Sequence, residues 1–106
     1  MMAMALLPSL CLAAGLSLTA TAASAATIEV TMEKLGFNPA VVTAHPGDTI
    51  VWRNKDMIDH TATSKGNFDV VISAGKSGST VVKVDGAVDY ICRYHPNMKG
   101  RIEVGR

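Results

Sequence analysis

From residue 27 onward the chain runs in short bursts in which polar and apolar residues alternate, and turn-forming residues interrupt each burst. Thr27-Ile28-Glu29-Val30-Thr31-Met32 opens the pattern. A two-residue period sends alternate side chains to opposite faces of a strand. Thr49 to Asn54 repeats it with Ile50 and Trp52 on one face, and Val88 to Cys92 with Val88, Tyr90 and Cys92 on one face. Ala40 to Thr43, Phe68 to Ile72, Thr80 to Val84 and Arg101 to Val104 are further short strand candidates. Leu35 to Pro39 reads as a turn-like connection, and His45-Pro46-Gly47-Asp48, Ala74 to Gly78 and Asp85-Gly86 read as turns. No long segment carries a helical period. The pattern predicts an all-β fold, a small Greek-key β-sandwich or barrel of about seven to eight strands.

Composition sharpens where that domain begins. The first 25 residues contain no Asp, Glu, Lys or Arg. Leu10 to Leu18 is long enough for the apolar region of a secretory signal, and Ala23-Ser24-Ala25 supplies the small-x-small pattern for cleavage after Ala25. Residues 1–25 are therefore read as a removable signal, and 26–106 as a single domain exported to the periplasm. Pro8 and the Ser/Thr content argue against an uncleaved membrane anchor. The residues before Cys11 fit a lipidation site poorly. The 106-residue chain carries ten basic and nine acidic residues, a net charge of +1. That balance argues against nucleic-acid binding. A domain of about 80 residues has a small core and no room for a separate cofactor domain.

Export changes the meaning of the cysteines. Cys11 leaves with the signal, so Cys92 remains alone in an oxidising compartment, where it pairs between molecules, reacts or binds a metal. Cys92, His95 and Met98 form C-x-x-H-x-x-M. Cys92 ends a strand, and His95 and Met98 are expected on the loop that follows, with Pro96 limiting how it curls. His60 is the best candidate for a fourth donor. A thiolate, two imidazoles and a weak axial thioether suit an electron-transfer copper site. Zinc more often takes Cys and His without Met, and calcium or magnesium would need oxygen ligands. Four protein ligands leave no open position for a substrate, which argues against an enzyme acting by itself.

These residues resemble a known family. Pro46-Gly47-Asp48-Thr49-Ile50-Val51-Trp52, Asp59-His60-Thr61 and Asp89-Tyr90-Ile91-Cys92-Arg93-Tyr94-His95-Pro96-Asn97-Met98-Lys99-Gly100 are similar to the cupredoxins, the small type 1 copper proteins. The short gap between His95 and Met98 looks most like the amicyanins, with plastocyanin and pseudoazurin more distant. The resemblance implies one copper ion held by His60, Cys92, His95 and Met98. It also implies single-electron transfer by a monomer to transient redox partners, a dehydrogenase or a cytochrome c. Two positions depart from the pattern. Thr61 stands where the family usually has Asn, and Tyr94 where amicyanins usually have Pro.

Met57, Ile58 and Pro96 are expected to form an apolar docking rim near His95. Met32, Trp52 and Tyr90 read as core, His45 as a solvated turn residue, and Lys55, Lys65, Lys76 and Lys83 as scattered solvated charges. A periplasmic copper carrier is the competing function. Carriers favour exchangeable Met- or His-rich sites, whereas this chain has one compact set containing a thiolate.

Overall fold

The computed structural model describes residues 24–83 and 85–105. Of the expected signal, Leu10 to Leu18 and Cys11 lie outside the described residues, as does Val84 at the end of one expected strand. Nine strands follow in order: β1 Thr27–Glu33, β2 Gly36–Asn38, β3 Val41–Ala44, β4 Thr49–Asn54, β5 His60–Ser64, β6 Phe68–Ile72, β7 Ser77–Val81, β8 Gly86–Cys92 and β9 His95–Val104. They form two sheets, β2-β1-β4-β7 and β3-β9-β8-β5-β6. No helix of the described residues is long and apolar enough to cross a membrane.

The chain changes sheets repeatedly, so strands distant in sequence become neighbours. β1 pairs parallel with β4, and β3 parallel with β9. Alternation then fills the space between the sheets. Ile50 and Trp52 of β4, Val88, Tyr90 and Cys92 of β8, and Met98, Ile102 and Val104 of β9 are all buried. Each large apolar side chain withdrawn from water contributes about 1.5–3 kcal/mol. The Trp52 indole Nε1 donates to the Tyr90 hydroxyl at 3.2 Å, and Phe37 meets the Tyr90 ring edge-on at 4.7 Å. Burial pushes the Tyr90 phenol up to about 12, although the bond from Trp52 pulls it down.

Three local expectations need correction, and one strand was not anticipated. Gly36–Asn38 is a strand, not merely a connection, because it folds back on β1 with Phe37 in the core. His60–Ser64 is a strand although its sequence lacks alternating hydrophobicity; its inward positions are His60, Ala62 and Ser64. The strand expected at Thr80–Val84 lies at Ser77–Val81, where it pairs with β4 from Arg53 back to Thr49, and Gly78 leaves space for Val70 and Ile72 of the facing sheet. His95 and Met98 are not on a loop. They belong to β9, and only Arg93 and Tyr94 turn the chain between Cys92 and His95. The Cys92–His95 backbone pairing closes that turn, next to an irregularity in register at Ile91/Cys92.

Candidate metal centre

Strand register decides where each donor points. Cys92 continues the inward set of β8, and Met98 begins the inward set of β9. His60 opens β5, which pairs with β8 through Thr63 and Ile91. Together these place His60 Nδ1 3.7 Å and His95 Nδ1 3.6 Å from Cys92 Sγ. The imidazole rings stand edge to face, with centroids 5.1 Å apart. One donor atom from each residue lies within 4.8 Å of the other two. Bonds of about 2.3 Å to sulfur and about 2.0 Å to nitrogen, at angles between tetrahedral and trigonal, would set sulfur and nitrogen about 3.5–3.7 Å apart. The observed spacing fits such an ion. His60 and Cys92 are fully buried, His95 is half-buried, and Met98 is buried three residues further along β9.

The second layer holds a residue that the sequence reading missed. Asp56 Oδ2 lies 2.7 Å from His60 Nε2. A carboxylate there fixes the proton on Nε2 and leaves Nδ1 free as a donor atom toward the sulfur. The same carboxylate accepts the amides of Lys34 at 2.8 Å and Leu35 at 3.1 Å. Both residues have positive φ, 55° and 60°, where side-chain-bearing residues are strained. Asp56 thus steadies the β1–β2 turn and a donor imidazole at once. Burial works against its charge, but the His60 bond and the Leu35 and Lys34 amides outweigh it and hold it below the usual carboxylate range. The available signal was local: Asp56 precedes His60 by four residues.

Thr61, where the family usually has Asn, still ties the two segments together. Its amide donates to Cys92 Sγ at 3.3 Å, and its hydroxyl accepts the Arg93 amide at 2.8 Å. Thr63 donates its one hydroxyl hydrogen to Asp69 Oδ1 at 2.7 Å. The 2.9 Å bond between the two threonines therefore runs from Thr61 to Thr63. Arg93 Nε closes the ring on Asp69 Oδ1 at 3.0 Å. The Thr63 and Arg93 bonds hold the Asp69 carboxyl below its ordinary range. The shorter reach of a hydroxyl is met by a chain of donors that ends on an ionised carboxylate. Tyr94 is half-exposed beneath the Arg93 guanidinium, 5.5 Å from it. Thr61→Val, which removes both roles of the hydroxyl, is expected to lower the stability of the metal-free protein by about 1–3 kcal/mol. Thr61→Ser should recover most of it. Denaturant unfolding of the three proteins is the check, and equal midpoints would refute the tie.

The expected docking residues are all exposed, Met57 at 94% and Ile58 at 47% among them, with Pro96 on the strand that carries His95.

The cupredoxin-like domain family matches this sequence over residues 4–104. Amicyanin-alpha of Methylorubrum extorquens is 29% identical over 100 residues, spanning 88% of this chain and 84% of that protein. Among solved structures, the Cu(I) forms of two amicyanin variants superpose with a TM-score of 0.69. They are 23% and 24% identical, and each match covers 80% of this chain and 86% of the other. Those likenesses show the shared fold. With a cysteine sulfur and two imidazole nitrogens converging as a type 1 copper site requires, the chain belongs to the cupredoxin-like family, and its cofactor is type 1 copper.

Proposed function

We propose that the protein is a periplasmic carrier of single electrons, exported by residues 1–25 and active as the monomer beginning at Ala26. The observation that carries this reading is the convergence of Cys92 Sγ, His60 Nδ1 and His95 Nδ1 on one buried point. His60, Cys92 and His95 would hold the copper ion strongly and Met98 weakly, and the bound ion would supply a one-electron couple.

The protein does the rest. Strands β5, β8 and β9 fix donor directions, so little rearrangement accompanies a change in charge. The Thr61 amide, 3.3 Å from the sulfur, holds the Cys92 side chain in place. Asp56 orients His60. Apolar packing around Cys92 and Met98 keeps water out. His95, half-buried where both neighbouring ligands are fully covered, is the donor nearest the surface and marks the route for electron exchange. Met57, Ile58 and Pro96 form an apolar rim suited to small, transient contacts with a dehydrogenase or a cytochrome c. The copper-carrier reading is not favoured, since full burial of His60 and Cys92 suits an ion that is retained.

The copper-loaded protein is expected to give a reversible one-electron wave in voltammetry. Pro96→Glu and Met57→Lys should leave that wave and the visible spectrum in place while slowing electron transfer to a redox protein by about tenfold, an effect of the size of one misplaced interfacial group. Copper loss on reduction would favour the carrier, and wild-type transfer rates in both variants would move the docking face elsewhere.

A further inference from the structure

The turn before β4 holds a carboxylate with an unusual partner. Asp48 is 5% exposed. Its backbone amide donates to the His45 carbonyl at 3.0 Å, and its carbonyl accepts the Val82 amide at 2.8 Å. Oδ2 accepts the His45 amide at 2.8 Å. Oδ1 accepts the amide of Ala26 at 2.8 Å, across 22 residues of sequence. Two hydrogen bonds therefore hold the carboxylate, and two more hold the backbone that carries it. Yet among the described residues the only basic side chain within 4 Å is the imidazole of His45, whose Nδ1 lies 3.7 Å from Oδ2 and whose side chain is 62% exposed. A nearly buried carboxylate usually has a firmer positive partner.

Ala26 is also the residue that cleavage after Ala25 would leave first. Its carbonyl accepts the Thr49 amide at 2.9 Å, one step before the Thr27–Thr49 pairing that begins the β1–β4 ladder. Ser24 and Ala25 are exposed. With Ala26, His45, Pro46 and Asp48 they line an open crevice of about 340 Å³ at the point of cleavage. The cut thus falls where the sheet starts, and the nitrogen it releases already sits on Asp48.

We propose that Asp48 is the receptor for the mature amino terminus: removal of the signal turns the Ala26 amide into an ammonium group that forms an ion pair with the Asp48 carboxylate. This rests on the reading that cleavage falls after Ala25. Hydrolysis of the Ala25–Ala26 bond by water gives a carboxylate on Ala25 and an amine on Ala26, which takes up a proton at neutral pH. The hydrogen bond gains charge on its donor side and so becomes one of the stronger kind. The amide of Ala26, then that of His45, holds Asp48 below the usual carboxylate range, so the acceptor is ionised throughout the working range. His45 and Asp48 are the titratable groups of the crevice that face the amine.

The sign of the pH effect follows. A carboxylate raises the folded-state pKa of the amine above its free value of about 7.7–8.0. The stabilisation is fully present below that free value and fades as pH rises through the folded one. A shift of one unit corresponds to about a tenfold change in the folding equilibrium.

The test uses the exported protein. Intact mass first places its amino terminus, and a mass that does not begin at Ala26 overturns both the cleavage reading and the proposal. With Ala26 first, pulse-labelling of the α-amine against pH, read by mass spectrometry of the N-terminal peptide, is expected to give a midpoint about one unit higher in the folded protein than in denaturant. In Asp48→Asn the folded midpoint should fall back. Equal midpoints in folded and unfolded wild-type protein would overturn the ion pair while leaving the cleavage reading intact. That comparison decides the matter even if Asp48→Asn does not fold.

Discussion

Cys92→Ser is expected to abolish the intense blue absorption and the narrow copper hyperfine splitting of the Cu(II)-loaded protein, while the fold survives. The colour of a type 1 site belongs to its thiolate, and a serine hydroxyl offers no comparable donor. The substitution is nearly isosteric, and the Thr61 amide that meets the sulfur at 3.3 Å can meet an oxygen instead. His60 and His95 remain, so weak binding with an ordinary pale spectrum is the expected residue of the site. One equivalent of Cu(II), visible and EPR spectra, and circular dichroism on both proteins are sufficient. Persistence of the blue band in the variant would remove Cys92 from the centre. An ordinary tetragonal spectrum in the wild-type protein would mean that the donors do not close on the ion as proposed.

The second large effect concerns Gly100, which lies two residues beyond Met98 and faces the core. A Cβ placed there would come within 2.5 Å of the Tyr90 hydroxyl and 2.7 Å of Cε1. Tyr90 has nowhere to go: it is 2% exposed, bonded to Trp52, and in ring contact with Phe37 and Phe68. Gly100→Ala should therefore cost about 1–3 kcal/mol or more, the range for overpacking a dense core. The displacement should also reach the metal centre, since Met98 and His95 are on the same strand. Gly105→Ala is the control, because a Cβ there meets nothing within 4 Å. Denaturant midpoints measure the difference, and equal midpoints would show that Tyr90 yields.

The strands with a clear apolar face were legible from alternation alone; β1, β4, β6 and β8 lie where the pattern places them, to within a residue or two. β5 was not, because His-Thr-Ala-Thr-Ser spends its inward positions on a histidine, a methyl group and a hydroxyl. Burial there depends on what β6 and β8 bring to it, which no local period records. β9 was read too short, because Pro96 and Asn97 resemble loop residues although the strand runs through them. Spacing alone suggested Cys92, His95 and Met98. His60 was singled out from the two remaining histidines by where a sandwich places the ends of its strands, and the family resemblance strengthened that choice. Asp56 left one local trace, its place four residues before His60, while its contacts with Lys34 and Leu35, more than 20 residues earlier, leave none.

The parallel pairing of β3 with β9 has a consequence for folding. Val41 to Ala44 wait for Arg101 to Val104, and β8 waits for the same strand. Closing loops of this length is slow compared with local pairing. Until β9 is in place, the turn joining Cys92 to His95 is open, and the thiol and the His95 imidazole lack the pairing that sets them 3.6 Å apart. Pairing of β9 is then the event that both closes its sheet and assembles the metal donors.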